Sequence, residues 1–292
     1  MKTIMHLSAF FILVIIYMVG SIKAYTINEN DLNNIILQVY SNKTNRLLVG
    51  KKVAASDGVF NHQVQLFVVY TDHSKVTTCG GSIVHPNWIL SAASCFPKGY
   101  KRILAVYGST NLFDEVNRQT ANVHDIIYPS NYSPGSIHGN VAMLRVDAIE
   151  YNDRVQNIAL NFATDTKYYG LIATISGFGN LDENQPNAKG DLYYGTTSII
   201  NNCACANAMN ATLNHLHMCS ESTYLNSAVC NGDFGSGLIN QFSFDNWRDY
   251  LLGVAIPLGN QTDCGQDTPN LYVDIRYYRK WIQNIIENYR PQ

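Results

Sequence analysis

The chain has 292 residues, 46% of them hydrophobic and only 14% charged, so it can bury a sizeable core and is neither disordered nor fibrous. Its 20 glycines and 8 prolines follow no period, which excludes a collagen-like repeat. The formal charge is −2 and no run of Lys or Arg stands out, so neither nucleic acid nor an anionic membrane is an expected partner.

Residues 1–24 open with Lys2, continue through an apolar run from Ile4 to Val19 and close on the small residue Ala24, the pattern of a secretory signal peptide. The run is short for a membrane span of about 20 residues, so the chain is expected to be secreted and extracellular, with no membrane partner. Residues 25–47 are polar, Asn-rich and free of cysteine, and read as a removable leader. Residues 48–292 carry no internal repeat or low-complexity linker and are expected to form one unit.

Beyond Leu48 the pattern changes to short apolar runs between turn residues. Residues 63–66 alternate apolar and polar, 67–70 are continuously apolar, and 171–175, 198–200 and 250–257 are similar runs, all predicted strands. Residues 274–288 differ: Ile275, Tyr278, Ile282 and Ile285, followed by Tyr289, have helical spacing, and Asp274 is placed to cap the helix. The expectation is an all-β sandwich or barrel pair with one terminal helix.

All seven cysteines lie after the signal segment, in a compartment that permits disulfides, and an odd count leaves at least one unpaired. The C-x-C at Cys203 and Cys205 is a weak metal signal with no matching His pair, so an oxidised framework is expected, with no metal or cofactor. Asn42, Asn131, Asn210 and Asn260 head glycosylation sequons, which suits a secreted surface.

Cys79-Gly80-Gly81-Ser82-Ile83 followed by Trp88-Ile89-Leu90-Ser91-Ala92-Ala93-Ser94-Cys95 closely resembles the C-G-G-S/T-I…W-I-L-T-A-A-H-C block of trypsin-like serine proteases. Leu48-Val49-Gly50 is similar to their I-V-G-G start, Ser176-Gly177-Phe178-Gly179 to S-G-W-G, and the segment Cys230 to Gly235 to C-x-G-D-S-G. The resemblance implies a double six-stranded antiparallel β-barrel with a C-terminal α-helix, in agreement with the strand and helix pattern. It also locates the catalytic positions.

Hydrolysis of that type needs a serine nucleophile, a histidine base and a buried carboxylate that holds the histidine's tautomer. The resemblance puts the histidine position on Ser94, the aspartate position on Asn140 within Asn140-Val141-Ala142-Met143-Leu144, and the nucleophile position on Phe234. A serine hydroxyl is no base near neutral pH and a phenyl ring is no nucleophile, so the chain is expected not to be an enzyme. The Phe234 ring is expected where a substrate carbonyl would sit. His85, His138, His215 and His217 are expected to be packed or exposed rather than to rebuild a base.

The primary pocket is altered as well. Counting from Phe234, its base is Ala228; the strand that would pair with substrate reads Ile256-Pro257-Leu258, and the far wall begins at Asn270, so Pro257, Leu258 and Asn270 are expected to obstruct it. Asp233 is kept, and in this family that residue pairs with the new amino terminus, here Leu48. Arg46 lies one residue too early for a tryptic cut there. The resemblance further implies the disulfides Cys79 with Cys95, Cys230 with Cys264, and Cys219 with Cys203 or Cys205. The cysteine left over is expected to stay buried, the alternative being a link between two chains.

Among trypsin-like proteins the chain most resembles the inactivated serine protease paralogues of the scabies mite, relatives of the group 3 mite allergens. That resemblance implies a secreted binding protein that inhibits host complement. The competing expectation is a pseudoenzyme that acts as a decoy for protease inhibitors or substrates or partners an active protease.

Overall fold

The computed structural model describes residues 51–52, 58–70, 76–112, 114, 116–160, 168–178, 191–222, 228–229, 232–240, 249–258 and 268–290. The expected signal and leader segments, Leu48, Cys230, Cys264, and the sequons at Asn42 and Asn260 lie outside the described residues.

In chain order the strands are β1 (Lys51–Lys52), β2 (Gln63–Tyr70), β3 (Val76–His85), β4 (Trp88–Ser91), β5 (Tyr100–Tyr107), β6 (Gln119–Ile127), β7 (Ala142–Val146) and β8 (Ala159–Leu160). They continue with β9 (Ile172–Gly177), β10 (Tyr193–Ile200), β11 (His217–Ser222), β12 (Gly237–Asn240), β13 (Tyr250–Ile256) and β14 (Asn270–Asp274). The helices are α1 (Asn202–Met209) and α2 (Arg279–Asn288).

The first barrel closes in the order β2-β3-β4-β7-β6-β5, with antiparallel neighbours. The alternating and continuous apolar runs at 63–70 form one strand, β2. Val64, Leu66 and Val68 fill the barrel interior because successive side chains point to opposite faces. Gln63 and Gln65, on the other face, are buried too. The second barrel runs β9-β10-β11-β14-β13-β12 and closes by pairing β12 with β9. β1 adds to β10, and β8 lies parallel to β13 with Tyr250 opposite Ala159. Closing both sheets removes the free edges that an open sheet would have to protect.

Gln63 ties the barrels together. Its Nε2 donates to Ser236 Oγ at 3.0 Å and its Oε1 accepts from Ser176 Oγ at 2.8 Å, both partners belonging to the second barrel. The approach is close enough to require glycine at position 80, where a Cβ would come within 1.9 Å of Ser236 Oγ.

The C-terminal helix forms where its spacing predicts, entered by a 3₁₀ turn at Ile275–Tyr278. Asp274 caps that turn by accepting from the Arg276 N–H at 3.1 Å, and Ile275, Tyr278, Ile282 and Ile285 are buried. Tyr289 meets Trp88 of the first barrel edge-on at 5.3 Å.

The expectation of a single helix is corrected by α1. The Asn201 side chain accepts from the Ala204 N–H at 2.8 Å, and Asn210 ends the helix in the left-handed region with φ 47°. Only Cys205 of this helix is buried, so it has no apolar stripe to announce it. Cys205 bonds to Cys219 on β11, which decides the pairing that the sequence left open. Cys203 on the same helix is a free thiol and is exposed, which corrects the expectation that the left-over cysteine stays buried: only Cys205 of this helix is buried. Cys79 and Cys95 are joined as the resemblance implied.

Candidate functional site

Ser94 sits in a 3₁₀ turn, Ala93–Cys95, that follows β4, and Asn140 lies just ahead of β7. β4 and β7 are neighbours in the barrel, with Ser91 opposite Ala142, so their ends bring the two side chains together. The Ser94 N–H donates to Asn140 Oδ1 at 2.8 Å, and Asn140 Nδ2 donates to Ser94 Oγ at 3.1 Å. Asn140 is buried, and this reciprocal pair uses both ends of its amide.

Phe234 reaches the same place from the second barrel. Its carbonyl accepts from the Gly80 N–H at 2.8 Å and lies 3.5 Å from Cys95 Sγ, so the Cys79–Cys95 disulfide, the Ser94 turn and the loop before β12 converge. Gly235 makes that loop possible: its φ is 95°, and a Cβ there would fall 2.3 Å from both the Gly80 carbonyl oxygen and Ser91 Oγ. The Phe234 ring is half-buried and packs against both apolar clusters of the molecule.

A neutral carboxamide accepts from a backbone N–H and donates to a hydroxyl here, so this pair holds no anion and no base that titrates near neutral pH. The Phe234 ring supplies apolar surface.

Around the expected pocket, Ala228 and Val229 are buried, and Asn270 at the start of β14 is 7% exposed. Asn270 Oδ1 accepts from the Val229 N–H at 2.8 Å, so its side chain crosses from one wall to the residue next to Ala228. Two residues on, the Tyr272 hydroxyl pairs with Ser220 Oγ at 3.1 Å, and burial holds it well above the ordinary phenol range. Pro257 and Leu258 follow directly after β13 and are half-buried, Leu258 against the larger core cluster.

Asp233 is buried beside Gly177, where a Cβ would fall 2.1 Å from its carboxylate. The partner expected for it, Leu48, lies outside the described residues.

The histidines are engaged elsewhere. His217 lies against His138 with ring centroids 5.0 Å apart and planes tilted by 48°, its Nδ1 accepting from the Asn214 N–H and its Nε2 3.3 Å from the Ile137 carbonyl oxygen. Burial lowers the pKa of His217. His85 Nδ1 accepts from the Asn87 N–H, and His215 packs edge-on to Tyr277. Both described sequon asparagines are exposed, Asn210 at the end of α1 and Asn131 with its Nδ2 donating to the Tyr278 hydroxyl at 3.2 Å. Sequence reading named Asn270 but could not see its partner, because a side chain that seeks a backbone N–H 41 residues away leaves no local pattern.

Comparison with known proteins points one way. The family described as Trypsin matches residues 49–282. Serine protease SP24D of Anopheles gambiae is 29% identical over 248 residues, covering 83% of this chain and 82% of its own length. Lectizyme of Glossina austeni is 28% identical over 239 residues, covering 76% of this chain and 82% of its own length. Among solved structures, HL collagenase superposes with a TM-score of 0.69 at 24% identity, over 82% of this chain and 99% of that one, which establishes the shared fold.

Proposed function

From the premise that this chain belongs to the trypsin family of serine proteases, we propose that it is a secreted homologue without proteolytic activity that acts by binding and inhibits host complement. The observation that carries the loss of activity is the Ser94–Asn140 pair: where the family mechanism needs a proton acceptor and an anion behind it, a neutral carboxamide accepts the Ser94 backbone N–H and donates to the Ser94 hydroxyl. Phe234 at the nucleophile position removes the attacking atom. Losing a triad member alone costs orders of magnitude in rate.

A chain that keeps the fold and its disulfides while its catalytic positions carry no catalytic chemistry has a use for the scaffold itself. Rigid barrels can present loops to a protein partner and block an assembly step without cleaving anything. The resemblance to inactivated mite paralogues supplies the partner class, host complement proteins, and the disulfides with the signal-like start support an extracellular setting. The decoy reading needs an open cleft, and the bond from Asn270 to Val229 argues against one. A disulfide-linked dimer would run through Cys203, since Cys205 is occupied by Cys219.

The test is complement-dependent haemolysis in human serum with purified chain from Leu48 onward, beside a broad peptide-substrate screen on the same sample. Dose-dependent protection without peptide cleavage is the expected result. Cleavage by the intact chain overturns the inactivity; no protection overturns the complement reading.

A further inference from the structure

Helix α1 turns one stripe of side chains to the solvent. Cys203, Asn207 and Asn210 are exposed, whereas Cys205 is buried and bonded to Cys219, which holds the helix with that stripe outward. From Cys203 to Asn210 is two turns, so the two residues lie within about 20° of each other around the axis and about 10 Å apart along it. Ala204 and Ala208 flank the stripe, so only short side chains stand between the Cys203 thiol and Asn210.

Asn210 heads the sequon Asn210-Ala211-Thr212 and closes the helix through its backbone. Its φ is 47°, and the Ala211 N–H donates to the Ala206 carbonyl at 3.0 Å. The cap therefore makes no demand on the Asn210 side chain, and both Asn210 and Thr212 are exposed. Asn131, the other described sequon asparagine, is tied at both ends of its amide. Its Nδ2 donates to the hydroxyl of the buried Tyr278, and its Oδ1 packs against Gly139, where a Cβ would come within 2.7 Å of it.

An asparagine in this motif is an acceptor for oligosaccharide transfer in the secretory pathway. The amide nitrogen forms a bond to the anomeric carbon of an oligosaccharide held on a lipid diphosphate; the lipid diphosphate leaves, and the nitrogen gives up one proton. The attached glycan is bulky and hydrated, far larger than the side chains of α1 around it.

We propose that Asn210 carries an N-linked oligosaccharide that lies along the outer stripe of α1 and screens the Cys203 thiol from a second protein chain. The chain then stays monomeric although it has a free, exposed cysteine. A small reagent reaches the thiol beside the glycan, whereas a polymer or a protein does not. This rests on the extracellular part of the proposed function and is independent of complement binding.

The full chain is produced in cultured insect cells behind its own residues 1–24 and, in parallel, with those residues exchanged for a signal peptide known to be cleaved. Appearance of the first form in the medium tests the extracellular reading, and the second form tests the glycan whatever the first does. Mass spectrometry of the peptide that holds Asn210, before and after enzymatic release of N-glycans in H₂¹⁸O, should find Asn210 occupied, and Thr212→Ser should keep it so. Thr212→Ala, which removes the sequon and leaves the Asn210 cap in place, should lose the glycan. Cys203 of that variant should then react with a long poly(ethylene glycol) maleimide about fivefold faster or more than Cys203 of the glycosylated chain, while iodoacetamide reacts with both at rates equal within about twofold. Cys203→Ser should remove the labelling by either reagent. An unmodified Asn210 overturns the proposal, as do equal maleimide rates with and without the glycan. A rise shared equally by both reagents overturns it too, because it places the change in α1 itself rather than in a screen over it.

Discussion

Asn140 accepts the Ser94 N–H in a buried site, and that bond ties the 3₁₀ turn after β4 to the strand beside it. Asn140→Ala leaves a buried donor without its partner, and a loss of about 1–3 kcal/mol is expected in urea unfolding. Asn140→Asp keeps the acceptor and should cost less. His62 works on stability through pH. Its folded pKa of about 4 lies below the unfolded value of about 6.5, so the unfolded chain takes up the proton first as pH falls. Its influence is flat above about pH 6.5, grows unfavourable between about 6.5 and 4, and levels off below that, at a cost on the order of 3 kcal/mol. Unfolding free energies measured across that window should decline towards acid, and His62→Phe should flatten the decline.

At the scale of elements, α1 is held by its caps and one covalent bond rather than by an apolar face. The Cys205–Cys219 disulfide spans 14 residues, a loop for which cross-linking contributes about 3 kcal/mol by restricting the unfolded chain. Cys205→Ser should lower the denaturation midpoint accordingly. Cys203→Ser, which removes an exposed thiol two residues away, should leave the midpoint unchanged. The reverse order would mean that the pairing is Cys203–Cys219. The terminal helix α2 contrasts with α1: four of its own and its entering turn's side chains are buried, so packing stabilises it.

For the whole molecule, Gln63 makes two of the polar contacts between the barrels among the described residues. Gln63→Leu strips partners from Ser176 and Ser236, whose side chains are both buried, and about 2–4 kcal/mol of stability should be lost. The readout is differential scanning calorimetry, where the transition should move down and broaden as the barrels uncouple. A substitution at Gln65, which lies on the same face of β2, removes neither of those bonds and should not reproduce the broadening.

Much of this is legible in the sequence alone. The period of two in β2, the helical spacing through residues 275–289, and the ordered blocks around Cys79–Cys95 and Asp233 are short-range patterns, and short-range patterns survive in a linear string. The chemical identity of Ser94, Asn140 and Phe234 is likewise read directly, because a side chain's titration class does not depend on its neighbours. What the tertiary structure decided involves partners far apart in the chain. It selected Cys205 over Cys203, showed Ser94 and Asn140 satisfying each other, aimed Asn270 at Val229, and left His62 Nε2 buried with no partner among the described residues. α1 was missed for a related reason: its signals are two asparagine caps, common residues whose meaning depends on the backbone they terminate. Residue types and local periodicity determine which elements can form; burial and hydrogen-bond satisfaction, settled only when the barrels close, determine which side chains meet.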